Sequence, residues 1–312
     1  MLTDRSSTRF LSKDLFMSSD AHFLTLRAGP LTLEYDPDAG DLRYIRWGSH
    51  EIVRRIYAAV RNERWFTVPA TLTEIERVLR DDSFRITYEA HHEHETVDFR
   101  WRGTITGDAG GIITFEFDGE AHSEFQRNRI GICVLHPADV AGNDCTVTHT
   151  NGEAKAGAFP ELIAPHQPFF DIAAISQKVA PGVSATIQFS GDIFEMEDQR
   201  NWLDASFKTY STPLALPMPV AVLRGTRVQQ SLTLSVSGEA ALSPPAATSD
   251  TVTVTVGGIA DVRLPSLGLL LPPEEADPDS DALLFLSGLP VDHFQADLDA
   301  ESPDFAPALV RA

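Results

Sequence analysis

The chain has 312 residues, 43% of them hydrophobic, enough to enclose one large core or two smaller ones. Lys and Arg total 25 against 45 Asp and Glu, a formal net charge of -20, and no Lys/Arg block interrupts that excess. Such a surface repels nucleic acid and anionic membranes, which leaves a small polar ligand as the partner to look for, since one positive pocket survives inside a negative envelope.

Residues 1–21 read as an N-terminal extension. Met1-Leu2-Thr3-Asp4-Arg5 carries an early acid and lacks a long apolar core behind a basic start, which argues against a secretory signal. No apolar run approaches the ~18 residues that a membrane span needs. The two cysteines, Cys133 and Cys145, are too few for a disulfide framework. Each lies among apolar or β-branched neighbours and reads as a small strand residue. The expectation is a protein of the reducing cytoplasm without cofactor or metal.

From residue 22 to 238 the pattern is strand after strand at period two. Phe84, Ile86 and Tyr88 alternate with Arg85 and Thr87, and Val97, Phe99 and Trp101 with Asp98, Arg100 and Arg102. Ile113, Phe115 and Phe117 continue the pattern, as do Leu232, Leu234 and Val236 later. One buried and one wet face indicate antiparallel sheets. Asp36-Pro37-Asp38-Ala39-Gly40 and Gly107-Asp108-Ala109-Gly110-Gly111 mark reversals. The segment His50 to Arg61 is ambiguous, because Ile52, Val53, Ile56, Tyr57 and Val60 fit helical spacing while their β-branching fits a buried strand pair. The fold expected is a mainly β protein, a large antiparallel sandwich of roughly a dozen or more strands.

Three segments inside this region carry candidate chemistry. In Arg127-Asn128-Arg129-Ile130-Gly131-Ile132-Cys133-Val134-Leu135-His136-Pro137, alternation puts Arg127, Arg129, Gly131 and Cys133 on one face. Two arginines there can hold a carboxylate or polyol, and the glycine lets it come close. A sheet edge protected by charge explains the same residues equally well. His136 ends that strand, either over a pocket or in a structural role. In Phe159-Pro160-Glu161-Leu162-Ile163-Ala164-Pro165-His166-Gln167-Pro168-Phe169-Phe170-Asp171, three prolines fix an extended loop that carries His166, Gln167 and Asp171. It either orients a ligand or crosses between sheets.

The third segment, Phe194-Glu195-Met196-Glu197-Asp198-Gln199-Arg200-Asn201-Trp202 with Asp204 and Lys208, is the densest polar cluster. As a strand it sends Glu195, Glu197 and Gln199 to one face, and Asp198 and Arg200 to the other with Phe194 and Met196. Crowded carboxylates raise one another's pKa toward useful values, and a neighbouring Arg or Lys can neutralise an oxyanion. The interleaved Trp202, Phe207 and Tyr210 argue for packing over a solvated charge run. His91, His92 and His94 around Glu93 lack a matching metal-ligand set and read as a solvated hairpin tip. No phosphate-binding glycine loop, nucleophile elbow or zinc-protease helix is present, so an ester cleaved here would meet an activated water rather than a serine.

Residues 239–250 look like a linker. Beyond them, residues 251–312 alternate short apolar strands (Val252 to Val256, Leu267 to Leu271, Val291 to Asp297) with helix candidates at Ala282 to Leu286 and Ser302 to Ala312. That is the grammar of an α/β barrel, of which about two units fit.

Several strings in this order resemble the D-apionate lactonase family: Leu42-Arg43-Tyr44-Ile45-Arg46-Trp47-Gly48, Arg127-Asn128-Arg129-Ile130-Gly131 with Leu135-His136-Pro137, Pro165-His166-Gln167-Pro168, and Glu195 to Trp202 running on through Tyr210. The resemblance implies hydrolysis of D-apionolactone to D-apionate in apiose catabolism, and a sandwich followed by a full α/β barrel, of which this chain holds a truncated start. On the chemistry of those strings, Glu197 or Asp198 is the expected general base, Arg129, Arg200 or Lys208 the group that stabilises the oxyanion, and His136 or His166 the group that assists the leaving alkoxide. Arg127, Asn128, Arg129, His166, Gln167, Glu195, Arg200, Asn201, Asp204 and Lys208 are the expected substrate contacts. The alternative is a non-catalytic carbohydrate-binding or barrel-supporting module similar to the galactose-mutarotase supersandwich. A third outcome is self-association through the apolar segments Leu267 to Leu271 and Leu283 to Leu286.

Overall fold

The computed structural model describes residues 23–238, 266–271, 288–289 and 291–296. The N-terminal extension, the 239–250 linker, the Val252 to Val256 strand and both helix candidates lie outside the described residues. The chain divides into two compact units, Met1–Thr248 and Ser249–Ala312.

Among the described residues, the first unit contains seventeen antiparallel strands. One ladder runs β1 (Leu24–Ala28), β2 (Leu31–Asp36), β3 (Asp41–Trp47), β4 (His50–Asn62), β9 (Phe125–Pro137), β15 (Ser206–Tyr210), β14 (Phe194–Asp198), β12 (Phe169–Ala180), β10 (Asp144–His149) and β11 (Ala154–Ala158). A short β16 (Val220–Val222) adds to β9 beside β15. The other ladder runs β5 (Ala70–Leu79), β6 (Phe84–His94), β7 (Val97–Gly107), β8 (Ile113–Ala121), β17 (Arg227–Ser237) and β13 (Val183–Ser190), and rejoins the first at β12. In the second unit, β18 (Gly268–Leu271) and β19 (His293–Ala296) pair in parallel. No α-helix lies among the described residues, so of the expected α/β fragment only this strand pair is seen.

Alternation produces the core. In β7 and β8, Val97, Phe99, Trp101, Ile105, Ile113, Phe115 and Phe117 are buried, with their neighbours turned outward. Burying each large apolar side chain is worth ~1.5–3 kcal/mol, so this inner face dominates the energetics. The turns form as their residues dictate. Asp36 Oδ1 accepts the Asp38 and Ala39 N–H groups, and Gly40 closes that reversal at φ +71°. Tyr88 of β6 donates its hydroxyl to Gly40 O at 2.9 Å, tying the two ladders together.

The ambiguous segment is the single 13-residue strand β4. Ile52, Val53, Ile56 and Val60 face the main core, while Tyr57 and Ala59 pack on the opposite side of the sheet. Apolar residues on both faces imitate helical spacing; β-branching and pairing with β3 and β9 decide for strand. His92 corrects the solvated-tip expectation. It is 3% exposed, meets Val68 O through Nδ1 at 2.8 Å, and accepts the Trp101 indole N–H on Nε2 at 2.9 Å. Those partners fit only the neutral ring, and burial pushes its pKa down to about 4.

Along β9, β15 covers Cys133 to Pro137 and β16 covers Phe125 to Arg127. The gap between them is filled from the other ladder. Gln230 of β17 accepts the Ile132 N–H at 2.8 Å and donates to Ser211 Oγ at 2.9 Å and to Asp192 at 3.2 Å. Gly131 sits at this point with φ +151°, and a Cβ there would lie 2.3 Å from Gln230 Oε1. The open space at Gly131 is therefore taken by a side chain, not left for a ligand.

Two outcomes follow from these contacts. Gln230→Ala strands a buried N–H and should lower unfolding stability in urea by about 1–3 kcal/mol. His92 is harder to protonate folded than unfolded, so stability should be complete above pH ~6.5 and fall as pH drops toward 4. Thermal unfolding across that window checks the sign, and His92→Gln, which keeps an acceptor for Trp101, should flatten part of the slope.

Candidate functional site

β9 lies between β4 and β15, with β14 beyond β15. Opposed residues in antiparallel strands share a face, so the register assembles rows across four strands. One row is Tyr57, Cys133, Tyr210 and Glu195; the next is Arg55, Leu135, Lys208 and Glu197. Arg61 stands opposite Arg129. Ala59, Cys133 and Tyr210 form a small apolar floor here, separate from the main core, with Tyr57 against it.

Three cations converge on that floor. The Arg129 guanidinium lies 3.9 Å from the Tyr210 ring centroid and 5.0 Å from that of Trp65, and Lys208 Nζ lies 5.4 Å from the same Tyr210 ring. Lys208 is 5% exposed and Arg129 6%. Burial, reinforced by Arg61 and Arg129, holds the Lys208 ammonium below the ordinary lysine range, against an upward pull from Cys133 and Glu197. Arg129 Nε and one Nη are buried without a hydrogen-bond partner. Among the described residues, no carboxylate lies in a salt bridge with Arg61, Arg129 or Lys208, and Glu197 acts on Lys208 only through its charge.

The adjacent acids are engaged by neutral donors instead. Glu195 accepts the Tyr210 hydroxyl at 2.6 Å and the Leu214 N–H at 2.7 Å. Half-buried Glu197 accepts the Trp202 indole N–H at 2.9 Å. Gln167 also bonds the Tyr210 hydroxyl, whose pKa is raised mainly by burial. Cations over an aromatic floor, rimmed by two carboxylates, can hold an anionic or polarised oxygen while taking up hydroxyl protons.

The remaining residues singled out in the sequence lie elsewhere. Asp198 is turned to the other side of β14, 1% exposed. It accepts the Ala164 N–H at 2.9 Å and both Nε and Nη2 of Arg200, at 2.8 and 2.7 Å. Its carboxyl is held below the ordinary value: the Arg200 and backbone hydrogen bonds outweigh burial, which is the largest single contribution and acts upward. Arg200 also donates to the carbonyls of Pro160, Glu161 and Leu162, and Asn201 to those of Ala164 and Asp198. These three residues pin the proline-rich loop, on which His166 is exposed and Gln167 half-buried.

His136 is fully buried, bonded to Thr209 Oγ1 at 2.9 Å and packed on Phe159. Burial pushes its pKa down to about 4. It sits opposite Phe207, a core residue, rather than over the cationic floor. Asn128 donates to Glu63 O and Asp204 is exposed; Arg127, expected on the face of Arg129, stands opposite Asn62 beyond a register shift and so turns away from it, toward the charge of Asp192. Sequence reasoning passed over Arg61, Tyr57 and Trp65. The odd-numbered series Arg55, Tyr57, Ala59, Arg61 was the available signal, hidden by the helix-like spacing of β4.

Fold and face together define a mainly β, sandwich-type protein with one cation-rich, aromatic-floored face. Residues 15–239 match the family described as D-apionate lactonase, N-terminal domain, and the chain belongs to that family. A curated relative, the D-apionate lactonase of Brucella anthropi, is 37% identical over 259 residues, which is 80% of this chain and 41% of the relative. The chain thus spans about two-fifths of that relative's length. Among solved structures it is similar to a putative aldose 1-epimerase from Escherichia coli K12, at 11% identity over 70% of this chain and 99% of that one, TM-score 0.44. It is also similar to galactose 1-epimerase from Lactobacillus acidophilus NCFM, at 4% identity over 69% and 94%, TM-score 0.44.

Proposed function

We propose that this chain takes part in opening a sugar-acid lactone, D-apionolactone to D-apionate, in apiose catabolism, with water as the nucleophile. Family membership and the name of the curated relative support the reaction. The observation that carries the site is Glu197, half-buried and directly cross-strand from Lys208, whose ammonium is in no salt bridge. Glu197 takes a proton from water as the water oxygen adds to the lactone carbonyl. Lys208 and Arg129 stabilise the resulting oxyanion, as fixed charge does most effectively where solvent is excluded. Collapse breaks the ring C–O bond, Glu197 returns the proton to the departing alkoxide, and the new carboxylic acid ionises into solvent. Asp198 and His136 have no part in this scheme, because one is spent on Arg200 and the other is sealed in the core.

A second reading is a non-catalytic sugar-acid-binding domain. It is favoured by the engagement of both face carboxylates with neutral donors, Tyr210 and Trp202. Titration at constant pH of D-apionolactone hydrolysis, against an enzyme-free control, separates the two. Turnover should exceed the control, and Glu197→Gln should reduce it about 100-fold or more. Unchanged turnover in that variant would remove Glu197 as the base. Control-level rates from folded wild-type chain would leave the binding reading.

A further inference from the structure

The cations of the floor are unusual for what they lack. A buried charge is normally paired, because an unpaired one loses hydration without compensation. Here Lys208 and Arg129 are almost fully buried, and Arg61 is half-buried opposite Arg129. All three lie close enough that Arg61 and Arg129 each depress Lys208. Acids make up 45 residues of this chain, yet among the described residues none forms a salt bridge with this group. Glu195 and Glu197, the nearest on the face, are given to a phenol, an amide and an indole. An anion from outside would supply what the fold withholds.

We propose that Arg61, Arg129 and Lys208 form a subsite for the carboxylate of an open-chain sugar acid, so that this face binds the ring-opened anion in preference to a neutral sugar. The inference rests on the reading above in placing the ligand on this face. Arg129 offers unused N–H donors on two nitrogens, the arrangement that grips a carboxylate from its edge, and Lys208 adds a point charge. The rim specifies the rest of the ligand. Glu195 and Glu197 repel a phosphate dianion but accept from hydroxyls, which selects a singly charged acid with a polyol tail. Trp65 is 42% exposed and Tyr57 only half-buried, so the floor is open at the Trp65 side. For a lactone-opening enzyme the consequence is retention of product, since hydrolysis creates the charge this subsite fits.

The test is calorimetric titration of the full 312-residue chain with sodium D-apionate and, separately, with the corresponding neutral alditol. The acid should bind at least about tenfold more tightly than the alditol, and the difference should shrink as salt rises from 50 to 500 mM. Lys208→Met and Arg61→Met should each weaken acid binding about tenfold or more while leaving alditol binding unchanged. Lys208→Met should also raise the melting temperature of the ligand-free chain, because it removes an unpaired buried charge; a residue of purely structural value would lower it. Equal affinity for acid and alditol overturns the subsite, as does a Lys208→Met chain that melts lower and binds acid normally. Acid binding without lactone turnover keeps the subsite and removes the catalytic reading. Turnover without measurable acid binding does the reverse.

Discussion

The central strand β9 must serve two environments at once, and most of the molecule is arranged around that demand. Its even-numbered residues Ile130, Ile132, Val134 and His136 are buried on the core side, while Arg129 and Cys133 belong to the cationic floor. Such a strand tolerates no slip in register, because a one-residue shift would put the Arg129 charge into the core and Ile130, Ile132 and Val134 on the floor. Long pairings with β4 on one edge and β15 on the other enforce the alignment. Where neither β15 nor β16 reaches, the Gln230 side chain stands in for the missing strand. Core packing, sheet continuity and the placement of the floor are thus one constraint seen from three sides.

The electrostatics follow from the same geometry. Strand register brings Arg61, Arg129 and Lys208 together although they are far apart in sequence, and it places the acids on the next strand over, where neutral donors claim them. The positive charge of the floor is local and stands against a strongly acidic chain. A negatively charged envelope around a positive spot discourages indiscriminate anion binding while leaving a small, well-shaped anion free to enter.

Much of this was legible in the sequence, and the limits have physical causes. Period-two alternation in β6, β7 and β8 showed the antiparallel sheets, and the Asp/Gly clusters showed their turns, because both depend on neighbours in the chain. Parity along β9 also carried the message that His136 faces away from Arg129, and parity along β14 separated Asp198 from Glu195 and Glu197. What could not be seen was anything decided by a distant residue. Gly131 looked like room for a ligand until Gln230, about a hundred residues later, filled it. Asp198 and Arg200 looked reactive because their mutual pairing, and the loop they hold, lay outside any local pattern. β4 concealed Tyr57 and Arg61 because both of its faces are apolar at the centre.

The clamp on the proline-rich loop works almost entirely through main-chain atoms. Asp198 takes an amide, Arg200 takes three carbonyls, and Asn201 takes one more. None of these contacts depends on which side chain the loop displays. Leu162, Ile163 and His166 are accordingly exposed and carry none of the clamp. A loop fastened by its backbone can change its exposed residues by mutation without losing its place, so substitutions at Leu162, Ile163 or His166 leave the segment anchored where it is.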